Sequence, residues 1–106
     1  MDRIVRGTSN VFADLGLPDA AERQTKLRLA MAINRLIEGR KLKQGDAARL
    51  LSINQPKVSA LANCRLDGFS VERLMTFLTA LDCDVEIRLK RRGRTRRPAR
   101  VTVLAA

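Results

Sequence analysis

Four hydrogen-bonding side chains, Gln55, Lys57, Ser59 and Asn63, stand two or four residues apart in the run QPKVSALAN. In a helix, at about 100° per residue, Val58, Leu61 and Ala62 fall on one side and pack inward. Pro56, Ser59, Ala60 and Asn63 fall on the opposite side, flanked by Gln55 and Lys57. This outer face is small, polar and free of acids. Its chemistry is recognition: short side chains allow close approach, and Gln, Asn or Lys hydrogen-bond base edges and phosphates. Proton transfer has little to work with. The chain contains no His, the usual general base and metal ligand. A Gly-rich phosphate loop, a Lys–Ser pair and clustered carboxylates are likewise missing. Cys64 and Cys83 are the only cysteines; they lack companions at metal-ligand spacing and are expected as reduced thiols. No enzymatic activity, no metal and no cofactor are therefore expected.

Any amphipathic helix has a polar side, so recognition depends on the elements that position this one. Residues 43–51 place Ala47, Leu50 and Leu51 on one apolar stripe, which holds a first short helix to the core. Asn54 is a good N-cap, and Pro56 falls in the first turn, where its missing N–H costs nothing. The spacing thus predicts two short helices joined by a tight corner, a shape in which the first braces the second in a DNA major groove.

Here the chain resembles a family. Residues 41–87 read KLKQGDAARLLSINQPKVSALANCRLDGFSVERLMTFLTALDCDVEI. Leu42, Gln44, Ala47, Ala48, Leu50, Leu51, Ile53, Gln55, Val58, Ser59 and Leu61 match the pattern of Xre/Cro-type helix-turn-helix regulators. SNVFADLGLPDA before this region and FSVERLMTFLTALDCDVEI at its end are similar to the HigA-like antitoxin subgroup. The resemblance covers roughly residues 9–89. It departs from the pattern at Ser52 and Cys64, where Gly is usual; both sites favour a left-handed backbone, so a non-Gly residue adds strain. The resemblance implies an antitoxin that captures a HigB-like RNA-cleaving toxin and represses the operon encoding both.

Elsewhere the chain supplies supports and charge. Residues 1–10 read as a mobile arm, in which Arg3 and Arg6 are candidate phosphate contacts. Val11, Phe12, Leu15 and Leu17 crowd a short apolar stretch that must fold back on the domain or bind a partner; the resemblance implies toxin binding. Pro18 and Asp19 open a long helix to about Glu38, stopped by Gly39, with Leu29, Ile33, Leu36 and Ile37 as its inward stripe. Leu27 and Met31 lie off that stripe on a face with Ala20 and Ala30. They form either a second contact surface, for a dimer partner or a toxin, or the edge of a wide core face. After a loop at residues 65–69, Ser70 caps another helix to about Leu81, with Val71, Leu74, Met75, Leu78 and Leu81 inward and Phe77 at the edge.

From Asp84 the period changes to two: Val85, Ile87 and Leu89 point one way, Glu86, Arg88 and Lys90 the other, so a strand is expected. It pairs either with its own copy about a two-fold axis or with residues 101–104 of the same chain. Of the formal charge of +10, eight basic residues and no acids lie between Arg88 and Arg100, whereas residues 1–87 carry thirteen basic and eleven acidic groups, net +2. Such a segment suits a polyanion through counterion release, or is a solvated tail without a ligand.

One hundred and six residues suit one domain. The expected fold is mainly α: a lambda-repressor-like helix-turn-helix domain of about four helices with a short C-terminal β-strand. Residues 1–17 form an arm and apolar segment, 18–90 the DNA-binding domain and 91–106 a basic tail. The expected function is a sequence-specific regulator binding a double-stranded operator as a homodimer. Gln55, Pro56, Lys57, Ser59, Ala60 and Asn63 form its recognition helix. Arg40, Lys41, Lys43, Gln44, Ser70, Arg91, Arg92 and Arg94 contact phosphates, and Val85, Ile87 and Leu89 dimerise. Val11, Phe12, Leu15, Leu17, Leu27 and Met31 hold the toxin. No bilayer-spanning run or apolar leader region is present, so a cytoplasmic location is expected. The alternatives are a stand-alone phage- or plasmid-type repressor and a basic RNA-binding adaptor. Three Phe and no Tyr or Trp leave the adaptor little to stack on unpaired bases, and a nuclease is disfavoured by the missing His and acidic cluster.

Overall fold

The computed structural model of the chain describes residues 19–94 and 97–105. The N-terminal arm and Val11, Phe12, Leu15 and Leu17 lie outside the described residues. Among those described there are four helices: α1 (Asp19–Gly39), α2 (Gln44–Leu51), α3 (Gln55–Ala62) and α4 (Val71–Ala80). α1 packs mainly on α4, and α2 mainly on α3.

The caps explain where the later helices start. The Asn54 side chain accepts from the Lys57 N–H at 2.9 Å, and the Ser70 hydroxyl accepts from the Arg73 N–H at 3.0 Å. Each gives a first-turn donor a side-chain partner at a helix end, where the α-helical ladder supplies none.

A single device explains where all four helices end. Lys41, Ser52, Cys64 and Asp82 have φ of 53°, 58°, 56° and 62°. The N–H of the residue after each reaches back five positions: Leu42 to the Ile37 carbonyl, Ile53 to Ala48, Arg65 to Ala60 and Cys83 to Leu78, at 2.8–3.1 Å. This is the Schellman closure, which normally takes Gly at the left-handed position. The strain expected at Ser52 and Cys64 is thus present, and two further residues share it. Gly39 is the last helical residue, so the left-handed stop falls at Lys41 and not at Gly39 itself.

Two adjoining clusters form the core. Leu29, Ala30 and Ile33 of α1 meet Leu51, Leu61, Phe69, and Val71, Leu74, Phe77, Leu78 and Leu81 in the larger. Ala47, Ala48 and Val58 make the smaller, and Ile37 and Ile53 touch both. The small residues let α2 and α3 approach closely.

Several expected positions move. Leu50 is 37% exposed, and Ala48 takes its place beside Ala47 and Leu51, because an eight-residue helix buries only the arc that meets α3. Phe77, expected at the edge, is buried and meets Phe69 edge to face, ring centres 5.8 Å apart. Ala30 sits in the core and not beside Leu27 and Met31, which remain exposed. On α3, Val58 and Leu61 are buried as expected, but Ala62 is exposed.

Residues 84–90 form no strand among the described residues, and none of them makes a backbone–backbone hydrogen bond to another described residue. The expected short C-terminal strand therefore lacks a partner among the described residues. Val85 packs on the core together with Val101 and Val103, while Ile87 and Leu89 are 54% and 64% exposed. The tail thus touches the core through valine side chains without joining residues 84–90 in a ladder.

Candidate nucleic-acid interface

The corner between α2 and α3 sets the site. The left-handed turn at Ser52 sends the chain back so that Ile53 enters the core. Asn54 then starts α3 with an extended backbone, φ −82° and ψ 166°. With Val58 against Ala47 and Ala48 and Leu61 in the larger cluster, the rotation of α3 about its axis is determined. A further tie comes from α1, where Asn34 Nδ2 donates to the Leu61 carbonyl at 3.2 Å. That carbonyl lies in the last turn of α3, where helical partners run out. The sequence pattern did not single out Asn34; its signal was an amide beside the inward stripe of α1.

The orientation leaves Gln55, Pro56, Lys57 and Asn63 exposed, with Ser59 and Ala60 half-buried. Gln55, Ser59 and Asn63 follow one another at four-residue spacing, which puts them in one row on the helix surface. Asn63 Nδ2 donates to the Ser59 carbonyl at 2.9 Å and approaches the Ser59 hydroxyl at 3.5 Å, so the C-terminal end of the row is held by its own hydrogen bonds. Ala60, expected to face fully outward, packs in part on the core. Lys57 leans to one side, its ammonium 5.8 Å from the centre of the Phe69 ring. This cation–π contact directs the side chain toward the loop after α3.

At the other end of the row, the Gln55 amide lies over the first turn of α2. A Cβ built on Gly45 would stand 3.6 Å from Gln55 Nε2, so the first turns of the two helices are brought together there. Lys41, Lys43 and Gln44 are all exposed beside this point. Lys43 occupies the N-cap position of α2 without capping it through its side chain, which leaves first-turn N–H groups without that partner. Asp46, the acid of that turn, is paired with Arg49 at 2.5 Å. The start of α2, the start of α3 and the row along α3 thus bring amide, ammonium and backbone donors to one side.

Other expected contacts are placed differently. Arg40 Nη1 is 3.9 Å from the Asp82 carboxylate, an exposed pair that water and phosphate readily compete with. The Ser70 hydroxyl is engaged as the α4 cap, though its hydrogen remains free to donate. Arg91, Arg92 and Arg94 are exposed on the tail. Leu27 and Met31 are exposed on α1, and Leu27 lines a shallow groove with Asp19, Glu22, Arg23, Lys26, Cys64, Leu66 and Asp67. Both cysteines are free thiols, Cys64 exposed and Cys83 half-buried. No described helix is long and apolar enough to cross a membrane.

Residues 11–90 match a family model described as a helix-turn-helix domain. A solved structure described as a candidate XRE-family transcriptional regulator is 62% identical to the chain, with a TM-score of 0.80, covering 84% of this chain and 100% of its own. No curated protein is significantly similar.

Proposed function

We propose, because the chain belongs to the XRE family of helix-turn-helix transcriptional regulators, that it reads a palindromic operator as a homodimer and serves as the HigA-like antitoxin of a toxin–antitoxin pair. The observation that carries the DNA reading is the row Gln55, Ser59, Asn63 on a helix whose rotation is set by Val58, Leu61 and the Asn34 bond. Preorganised amides on a locked helix suit base-edge hydrogen bonding, and Gln matches the donor and acceptor pair of adenine. Pro56 and Ala60 keep the helix surface low, and Lys57 positions the helix against phosphate.

Lys41, Lys43 and Gln44, with the first-turn N–H groups of α2, hold one phosphate strand, and Arg40 and Ser70 add contacts beside it. Arg91, Arg92 and Arg94 supply affinity without sequence preference. In the dimer, two α3 helices enter successive major grooves roughly 34 Å apart, and Val85, Ile87 and Leu89 join the copies. Residues 18–90 act as the DNA-binding domain and 91–106 as its basic tail. The toxin surface combines the exposed Leu27 and Met31 with Val11, Phe12, Leu15 and Leu17. The antitoxin part rests on the resemblance of residues 9–89 to that subgroup.

The test is purification after co-expression with the adjacent reading frame, followed by gel shift on the shared promoter with and without the neighbour. The expected result is a stable complex whose promoter affinity differs from that of the free protein. Promoter binding without a complex would leave a plain repressor, and loss of both would favour RNA binding through the tail.

A further inference from the structure

Residues 84–90 read Asp-Val-Glu-Ile-Arg-Leu-Lys: acids in the first half, bases in the second, apolar side chains between. We infer that two copies of this segment pair antiparallel about a two-fold axis passing beside Ile87. The inference rests on the homodimer reading above and adds to it a strand direction and a register.

Three observations meet on the segment. Its backbone groups make no backbone–backbone hydrogen bond to other described residues, so among these its edge is open, and an open edge is a template for a second chain. Ile87 and Leu89 are exposed on the face whose first member, Val85, already rests on the core; a paired strand would extend that apolar face across the axis. Asp84, Glu86, Arg88 and Lys90 are exposed, and within one chain the only ion pair among them joins Glu86 and Arg88, at 3.3 Å.

The charge order selects the register. With Ile87 opposite its copy, Glu86 faces Arg88 of the partner subunit, Asp84 faces Lys90 of the partner subunit, and Val85 faces Leu89 of the partner subunit. Every acid meets a base and every apolar residue meets an apolar one. Moving the axis to residue 86 sets Glu86 against its own copy; moving it to residue 88 does the same to Arg88. A one-residue slip places charged side chains opposite apolar ones and turns the apolar set to the other face. Parallel in-register pairing sets every charge against its like. Opposite charges across a strand pair stabilise it and like charges oppose it. In-chain pairing with residues 101–104, Val-Thr-Val-Leu, offers the four charges no partners.

The test uses the full chain with Cys64→Ser and Cys83→Ala, so that an introduced thiol is the only one. Residues directly opposite in an antiparallel pair have Cα atoms about 4.5 or 5.5 Å apart, within disulfide reach. Under diamide, Ile87→Cys should therefore form a covalent dimer. Leu89→Cys alone should not, whereas a mixture of Val85→Cys and Leu89→Cys chains should cross-link. In sedimentation at low salt, Glu86→Arg or Arg88→Glu should weaken the dimer about tenfold or more, since each change sets two pairs of like charges face to face. The double exchange Glu86→Arg with Arg88→Glu should restore it. A dimer that neither cross-links at residue 87 nor responds to the exchange would overturn the inference and leave the homodimer reading standing. A monomeric parent chain at micromolar concentration would overturn both.

Discussion

Gln55 shows how much of the site is decided by single side chains. Its amide lies at the junction of the first turns of α2 and α3; in the proposed complex a bidentate contact from it to a base edge would contribute about 1–3 kcal/mol of discrimination. Gln55→Ala is therefore expected to weaken operator binding roughly tenfold or more while leaving random duplex binding nearly unchanged, which competition gel shifts would measure; equal losses on both would remove Gln55 from the groove. Ser52 and Cys64 make the opposite kind of case, for stability. Each holds a left-handed backbone without being glycine, a conformation that disfavours most side chains by about 1–2 kcal/mol, partly offset by the larger entropy glycine loses on folding. Ser52→Gly and Cys64→Gly should each raise stability by about 0.5–1 kcal/mol, seen as a Tm higher by a few degrees. Both positions were legible through the family resemblance, which implies Gly at the corner where Ser52 stands and after the recognition helix where Cys64 stands. Lys41 and Asp82 were not, since neither type favours that conformation enough to mark it.

Among the elements, α3 depends most on its neighbours. It has eight residues, too short to be stable as an isolated helix. Its cap was legible in the pattern Asn54, Gln55, Pro56, and Val58 and Leu61 were legible as its inward pair. The exposure of Ala62 and the partial burial of Ala60 were not, because a helical wheel gives directions and not what stands in them. Ala60 packs in part on the larger cluster, while Ala62 is exposed. Asn54→Ala should cost about 1 kcal/mol in denaturant unfolding. Asn34→Ala makes a sharper test of positioning: it removes one of the two donors to the Leu61 carbonyl, leaving the Cys64 N–H at 3.1 Å, and should cost about 0.5–1 kcal/mol. Operator binding should weaken with base preference retained, and a change in preferred sequence would make Asn34 more than a positioning residue.

At the scale of the molecule, charge and pairing are separable. The basic tail holds Arg91, Arg92 and Arg94 in the open, while Val101 and Val103 pack on the core. Deleting the whole tail would therefore disturb packing as well as charge, and point changes test the electrostatics more cleanly. Replacing Arg91, Arg92 and Arg94 by Gln should weaken specific and random duplexes alike and reduce the slope of log affinity against log salt by about 0.9 for each phosphate no longer neutralised; an unchanged slope would show that the tail stays off the DNA. The sequence by itself determined the helices, their caps, the corner and the polar row, because these depend on spacing within a few residues. Only the tertiary structure decided that Ala48 and not Leu50 faces α3, that Ala30 is core while Leu27 and Met31 stay exposed, and that residues 84–90 find no partner among the described residues of their own chain. Those outcomes depend on which surfaces meet across the fold, and a strand's hydrogen bonds are completed by another segment that its own side-chain pattern does not name.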